Sequence, residues 1–285
     1  MMDPSGSRPV LPGTRLLLVV FTALTLLAFV SLFLGSGRTD EYFAWTIAPP
    51  ASAAFLGAAY AAGCVLVVLS LREERWARIR VPFVTVLVFT LLTLLATLLH
   101  LDPFHFEEPG LVARSAAWFW LAVYVVIPVG MLVMLVRQER SRQAEPPAAL
   151  PLPGGLAAVL AAQGAVFLVV GAVLFVAPAT ESELWPWPLT PLTARAVASW
   201  LLAFGIGIVL ALRDRDLHRL ELAAVAYAVF GALELVVLAR YVDVVRWGSP
   251  ATWVYIVLMV STLLSAGYAL RRLRAAQPVR AGATT

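Results

Sequence analysis

Glu234 is the residue whose position most needs a chemical explanation. It interrupts the apolar run near 220–239 about five residues short of one end, roughly 8 Å into hydrocarbon at about 1.5 Å per helical residue. A related Asp costs about 2.5–3.5 kcal/mol at a helix centre and less nearer the surface, so a carboxylate there wants a partner or a proton. Arg195, four residues inside the preceding run 191–212 from the same side, is the cation the sequence offers. Tyr227 and Tyr241 share the Glu234 face at seven-residue spacing. Gly231, one turn earlier, would admit a neighbouring helix. The set reads as a buried ion-pair or proton-binding site, or as an Arg–Glu clamp between helices.

Three further groups could do chemistry. Thr90, Thr93, Thr97 and His100 fall within about an 80° arc of one helix. They suggest a hydroxyl-lined path, with Gln163 facing the same interior, or else threonines bonded back to their own helix. His100, Asp102, His105 and Glu107 form the one metal-like cluster, although their order matches no standard motif and Pro103 lies among them. Trp45, Trp118, Trp120, Trp185, Trp187 and Trp253 gather at the ends of apolar runs on one side, as an aromatic belt or a shaped outer cap. No phosphate loop, nucleophile elbow or zincin helix is present, and nothing calls for a cofactor.

The elements that must position these residues follow from composition. The 285 residues are 61% hydrophobic and 13% charged, against about 45–50% and 25% for a soluble domain. Eight runs of roughly 20 apolar residues are long enough to cross a bilayer as helix. Their continuity excludes a barrel, whose strands would alternate. The fold class is an all-α integral membrane protein with the lipid bilayer as its main partner. The single Cys64 excludes a disulfide framework. All 21 basic residues are arginine, and both Lys and Asn are missing, which reads as the GC-rich coding bias of a bacterial chain. These arginines sit at helix ends, so the net charge of +4 is a topology signal and not a nucleic-acid one.

The runs repeat. Glu41-Tyr42-Phe43-Ala44-Trp45 followed by Pro49 returns 142 residues later as Glu183-Leu184-Trp185-Pro186-Trp187 followed by Pro191, and Gly63 returns as Gly205. This predicts two parallel four-helix copies related by a pseudo-two-fold axis along the membrane normal. Residues 1–14 form a disordered tail, 15–137 the first copy, 138–155 a linker, 156–274 the second copy and 275–285 a second tail. Sixteen arginines lie on the side of the chain ends and five on the other (Arg38, Arg114, Arg195, Arg240 and Arg246). That places both termini in the cytoplasm of a plasma-membrane protein.

Three function classes follow. The first is a transporter-like protein handling a small molecule or ion around Glu234. The second is an accessory or scaffold subunit docking a membrane-protein partner, or a second copy, through its aromatic cap. The third, with least support, is a metal-dependent membrane enzyme using the His100–Glu107 loop.

Overall fold

A computed structural model describes residues 9–140, 148, 150–178 and 182–276. Among them, α1 (Pro12–Phe29) runs into a π-helical turn at Val30–Leu34, and α2 (Thr39–Tyr42) is a single turn. Then come α3 (Pro50–Leu71), α4 (Trp76–Leu98), α5 (Leu111–Arg140), α6 (Gly154–Val176), α7 (Pro191–Asp214), α8 (Glu221–Arg240) and α9 (Pro250–Ala276). A 3-10 turn at Leu217–Leu220 extends α8 at its start. Eight of these segments are long and apolar enough to cross a membrane.

Local chemistry fixes several boundaries. Pro50, Pro191 and Pro250 open their helices, where the missing N–H costs nothing. Thr190 caps α7 by accepting from the Thr193 N–H. Arg215, left-handed at φ 50°, ends α7, and the Asp216 side chain accepts from the His218 N–H to start the next turn. Helix α4 begins at Trp76 and carries Pro82 inside it. Trp76, Ile79, Val81 and Phe83 are all buried, so this stretch gains enough packing to carry helix through the proline. The expected N-terminal tail is shorter. Val10 is buried and its N–H donates to the Glu74 carbonyl, which ties the chain down before α1. The remainder of that tail, most of the linker and the end of the second tail lie outside the described residues.

Packing sorts the helices into an inner and an outer set. Of its most apolar 18-residue window, α3 buries 72% and α1 22%. The inner helices α3 and α7 are rich in Ala and Gly, which lets backbones approach. Gly57 of α3 lies against the Phe33 backbone, and Gly205 of α7 lies 3.3 Å (from an added Cβ) from the Gly164 carbonyl of α6. Helix α1 packs on α3 and α6 on α7, while α4 lies on α7 and α8 on α3. Helices α5 and α9 complete the outside against α4 and α8. Leu16, Val126, Val169, Val257 and Leu264 point away from the bundle, fully suited to hydrocarbon. The protein is therefore an all-helical, multi-pass membrane protein in contact with lipid.

Eight antiparallel crossings put the start of α1 and the end of α9 on one face, called here the terminal face. The opposite face carries α2, the 99–110 loop and the Trp185–Trp187 segment.

Candidate functional site

Glu234 is completely enclosed, with 0% of its surface exposed. Its Oε2 accepts a 2.6 Å hydrogen bond from the Tyr255 hydroxyl of α9, and its Oε1 has no partner. Helices α8 and α9 pack closely here, since Gly231 lies one turn away against the Met259 carbonyl. Tyr255 in turn touches the rings of Trp185 and Trp187 at 5.4 and 5.8 Å. Trp187 donates to Ser52 Oγ of α3 at 3.0 Å, whereas Trp185 Nε1 is buried without a partner. The carboxyl thus sits beneath an aromatic lid.

Arg195 is not its partner. The guanidinium donates to the Phe175 carbonyl at the end of α6 (2.9 Å) and to His100 Nε2 of α4 (2.8 Å), and no ion pair joins it to Glu234. The expectation assumed that consecutive helices α7 and α8 are neighbours. Instead α7 faces α6 and α4, and α8 faces α3 and α9. Arg195 is a cap on a helix C-terminus, where a cation meets the free carbonyls and the negative end of the dipole. Arg240 does the same for the π turn after α1, donating to the Phe33 carbonyl at 2.8 Å.

The two tyrosines on the Glu234 face diverge. Tyr241 pairs its hydroxyl with Ser36 at 2.5 Å. Tyr227 packs its ring on Phe167 and Phe204, and its hydroxyl is buried without a partner. The threonines of α4 serve local ends. Thr90 donates to its own Leu87 carbonyl and Thr97 accepts from Trp120 Nε1 at 3.0 Å. Thr93 is buried with them. Gln163 donates to Ser261 and Ser265 of α9, leaving its Oε1 unpartnered.

The metal-like cluster does not converge. His105 donates from Nδ1 to the Phe43 carbonyl and accepts at Nε2 from the Thr46 hydroxyl. His100 donates from Nδ1 to the Ala96 carbonyl and accepts at Nε2 from Arg195. A carbonyl can only accept, so both rings carry their proton on Nδ1, and neither has a lone pair left for a metal. Asp102 and Glu107 point to the surface. Among the described residues no three His, Cys, Asp or Glu side chains are grouped to hold an ion.

The aromatic cap lies mostly inside. Trp45, Trp120, Trp185 and Trp187 are buried, and Trp118 and Trp253 are each 57% exposed. The first four fill the bundle, so of the six only Trp118 and Trp253 present their rings to the surface. Two similar ring triads make up the fill. Phe43, Trp45 and Trp120 meet at 4.9–5.4 Å, and Trp185, Trp187 and Tyr255 at 5.4–5.8 Å. Nearer the surface, Arg38 pairs with Glu41, and this contact holds the exposed Glu41 carboxyl below its ordinary range and the Arg38 guanidinium above its own.

The sequence did not single out the cavity lined by α3, α4, α6, α7, α8 and α9 on the terminal side of the aromatic fill. Its volume is about 110 Å³. Trp200, stacked on Phe89 at 3.8 Å, lines it. A column of ring contacts then continues outward through Phe204, Phe230 and Phe55 to Trp185. Glu234 lies two turns beyond Tyr227, about 10 Å further along α8. The only sequence signal for this space is the run of small residues in α3 and α7, which also suits ordinary close packing.

No family model, curated protein or solved structure matches this chain.

Proposed function

We propose that this protein is a transporter-like membrane protein that handles a small molecule or ion between two four-helix halves, with Glu234 as the polar centre beneath the outer aromatic lid. The observation that carries the reading is the Glu234 carboxyl itself. It is fully enclosed, it has one hydrogen-bond donor and one free oxygen, and it has no cation partner. Such a group is costly in a low-dielectric interior unless a proton or a bound cation neutralises it. A purely structural acid would be expected to have both oxygens satisfied.

Several features support the two-halves architecture. Exchanging the halves turns the α4–α7 contact into the α8–α3 contact, and the α1–α3 contact into that of α6 and α7. Val10 donates to the Glu74 carbonyl, and Leu152, 142 residues on, donates to that of Arg215. The two ring triads occupy matching places. The cavity on the terminal side and the closed lid on the other are what one end state of an alternating-access protein would present. The arginine distribution supports a plasma-membrane location with the terminal face toward the cytoplasm.

The test is thermal melting of purified protein across pH and with sodium exchanged for a bulky organic cation. A dependence on either variable that disappears in Glu234→Gln is the expected result, because Gln keeps an oxygen for Tyr255 and loses the charge. Identical profiles for the wild type and Glu234→Gln would overturn the reading.

A further inference from the structure

Another cavity, of about 140 Å³, lies between α1 and α5 on the lid side of the bundle. Its lining runs from Leu24 to Ser31 on one wall and from Ala116 to Tyr124 on the other, about 10–12 Å along the helices at about 1.5 Å per residue. Leu27 and Phe119 belong to this lining and are also half exposed on the outside of spanning helices, so the mouth of the cavity meets lipid. No charged side chain lines it, and an ionic ligand would be desolvated there without compensation. Part of the wall is nevertheless polar. Ser31 supplies the hydroxyl that stands open. Thr22, Thr25, Ser70 and Ser199 each donate back to a carbonyl four residues earlier, which occupies a hydroxyl within its own helix. Ser31, in the π turn, makes no such bond. Among the described residues no group hydrogen-bonds its hydroxyl, and its oxygen is not enclosed as those of Thr14 and Thr93 are.

We infer that this cavity binds a neutral molecule dissolved in the membrane, which sets a hydroxyl or carbonyl oxygen against Ser31 and lays its apolar body between α1 and α5. The inference goes beyond the reading of Glu234 and does not depend on it. A serine hydroxyl both donates and accepts, and hydrocarbon offers it neither kind of partner. Size agrees with the chemistry, since about 140 Å³ is close to the about 150 Å³ that takes up a benzene-sized ring. The hydroxyls are also particular to this place. Tyr42 and Tyr60 share the lining with Ser31, and the positions 142 residues after these three hold Val173, Leu184 and Leu202. Packing of the same kind in the other proposed half is therefore served by apolar side chains. The π turn that carries Ser31 is itself a feature frequent at functional sites.

A matched pair of probes tests this on the full chain in one detergent. Benzyl alcohol and ethylbenzene share shape, and the first carries a hydroxyl where the second has a methyl group. With each Kd referred to the probe dissolved in hydrocarbon, the wild type should prefer the alcohol by about tenfold or more. Ser31→Ala keeps the cavity and should bring the two probes within about twofold of each other, with ethylbenzene binding unchanged. Ala116→Leu narrows the cavity and should weaken both probes by about tenfold or more. Equal affinities in the wild type would overturn the inference and mark the cavity as a groove for a lipid chain alone. A preference for the alcohol that survives Ser31→Ala, binding that survives Ala116→Leu, or binding of neither probe would overturn it as well. The wild-type comparison stands even if a variant does not fold.

Discussion

At the scale of single residues, the contrast between Glu234 and Arg195 shows what a sequence can and cannot carry. A carboxylate inside an apolar run is visible in any sequence, because so few residues of that kind are tolerated there. Its partner is not visible, because partnership depends on which helices touch. Tyr255 sits in Trp253-Val254-Tyr255, which resembles Trp118-Phe119-Trp120 and so passes for an interfacial aromatic, yet its hydroxyl is the one donor Glu234 has. Tyr255→Phe should therefore lower stability by about 1–3 kcal/mol, read as an earlier unfolding transition in detergent. Arg195→Leu should also destabilise, by uncapping α6 and releasing His100. Because the two sites share no contact, a double-mutant cycle between Arg195→Leu and Glu234→Gln should give a coupling below about 0.5 kcal/mol. A larger coupling would restore the pairing that the sequence suggests.

At the scale of elements, the glycines separate packing from mere flexibility. A Cβ on Gly57 would come within 2.7 Å of Phe33 Cβ and closer still to the Phe33 backbone, which cannot move away. Gly37, in the turn after the π segment, meets nothing within 4 Å. Gly57→Ala should cost about 1–3 kcal/mol, and Gly37→Ala should stay within about 0.5 kcal/mol, both by the same unfolding measurement. Helix existence was legible here because hydrophobic length alone marks a spanning segment. Helix starts were less so. Trp76 to Val81 reads as a charged loop because Arg78 and Arg80 stand in it, but its apolar face packs inward. Its arginines reach outward to Glu221 and Glu139.

At the scale of the whole molecule, eight apolar spans follow from composition, whereas their neighbour relations do not. Chain order suggests that each helix packs on the next. The structure instead joins α4 to α7, where Gly207 lies against Thr85, and α8 to α3. The proposed orientation is tested by single cysteines in a Cys64→Ala background. Gly110→Cys and Gly248→Cys, exposed on the face of the lid, should react in intact cells with a maleimide that cannot cross membranes. Gly154→Cys, at the start of α6 on the terminal face, should react only after the cells are opened.

The exchange of covering helices also has a bearing on assembly. Helix α3 is covered by α1 of its own proposed half and by α8 of the other, and α7 by α6 and by α4, so each proposed half made alone would leave one alanine- and glycine-rich face of its inner helix uncovered. Two fragments severed between Arg140 and Leu150 should be cleared by proteases when expressed singly and persist when expressed together, like the clasped hands of a single grip.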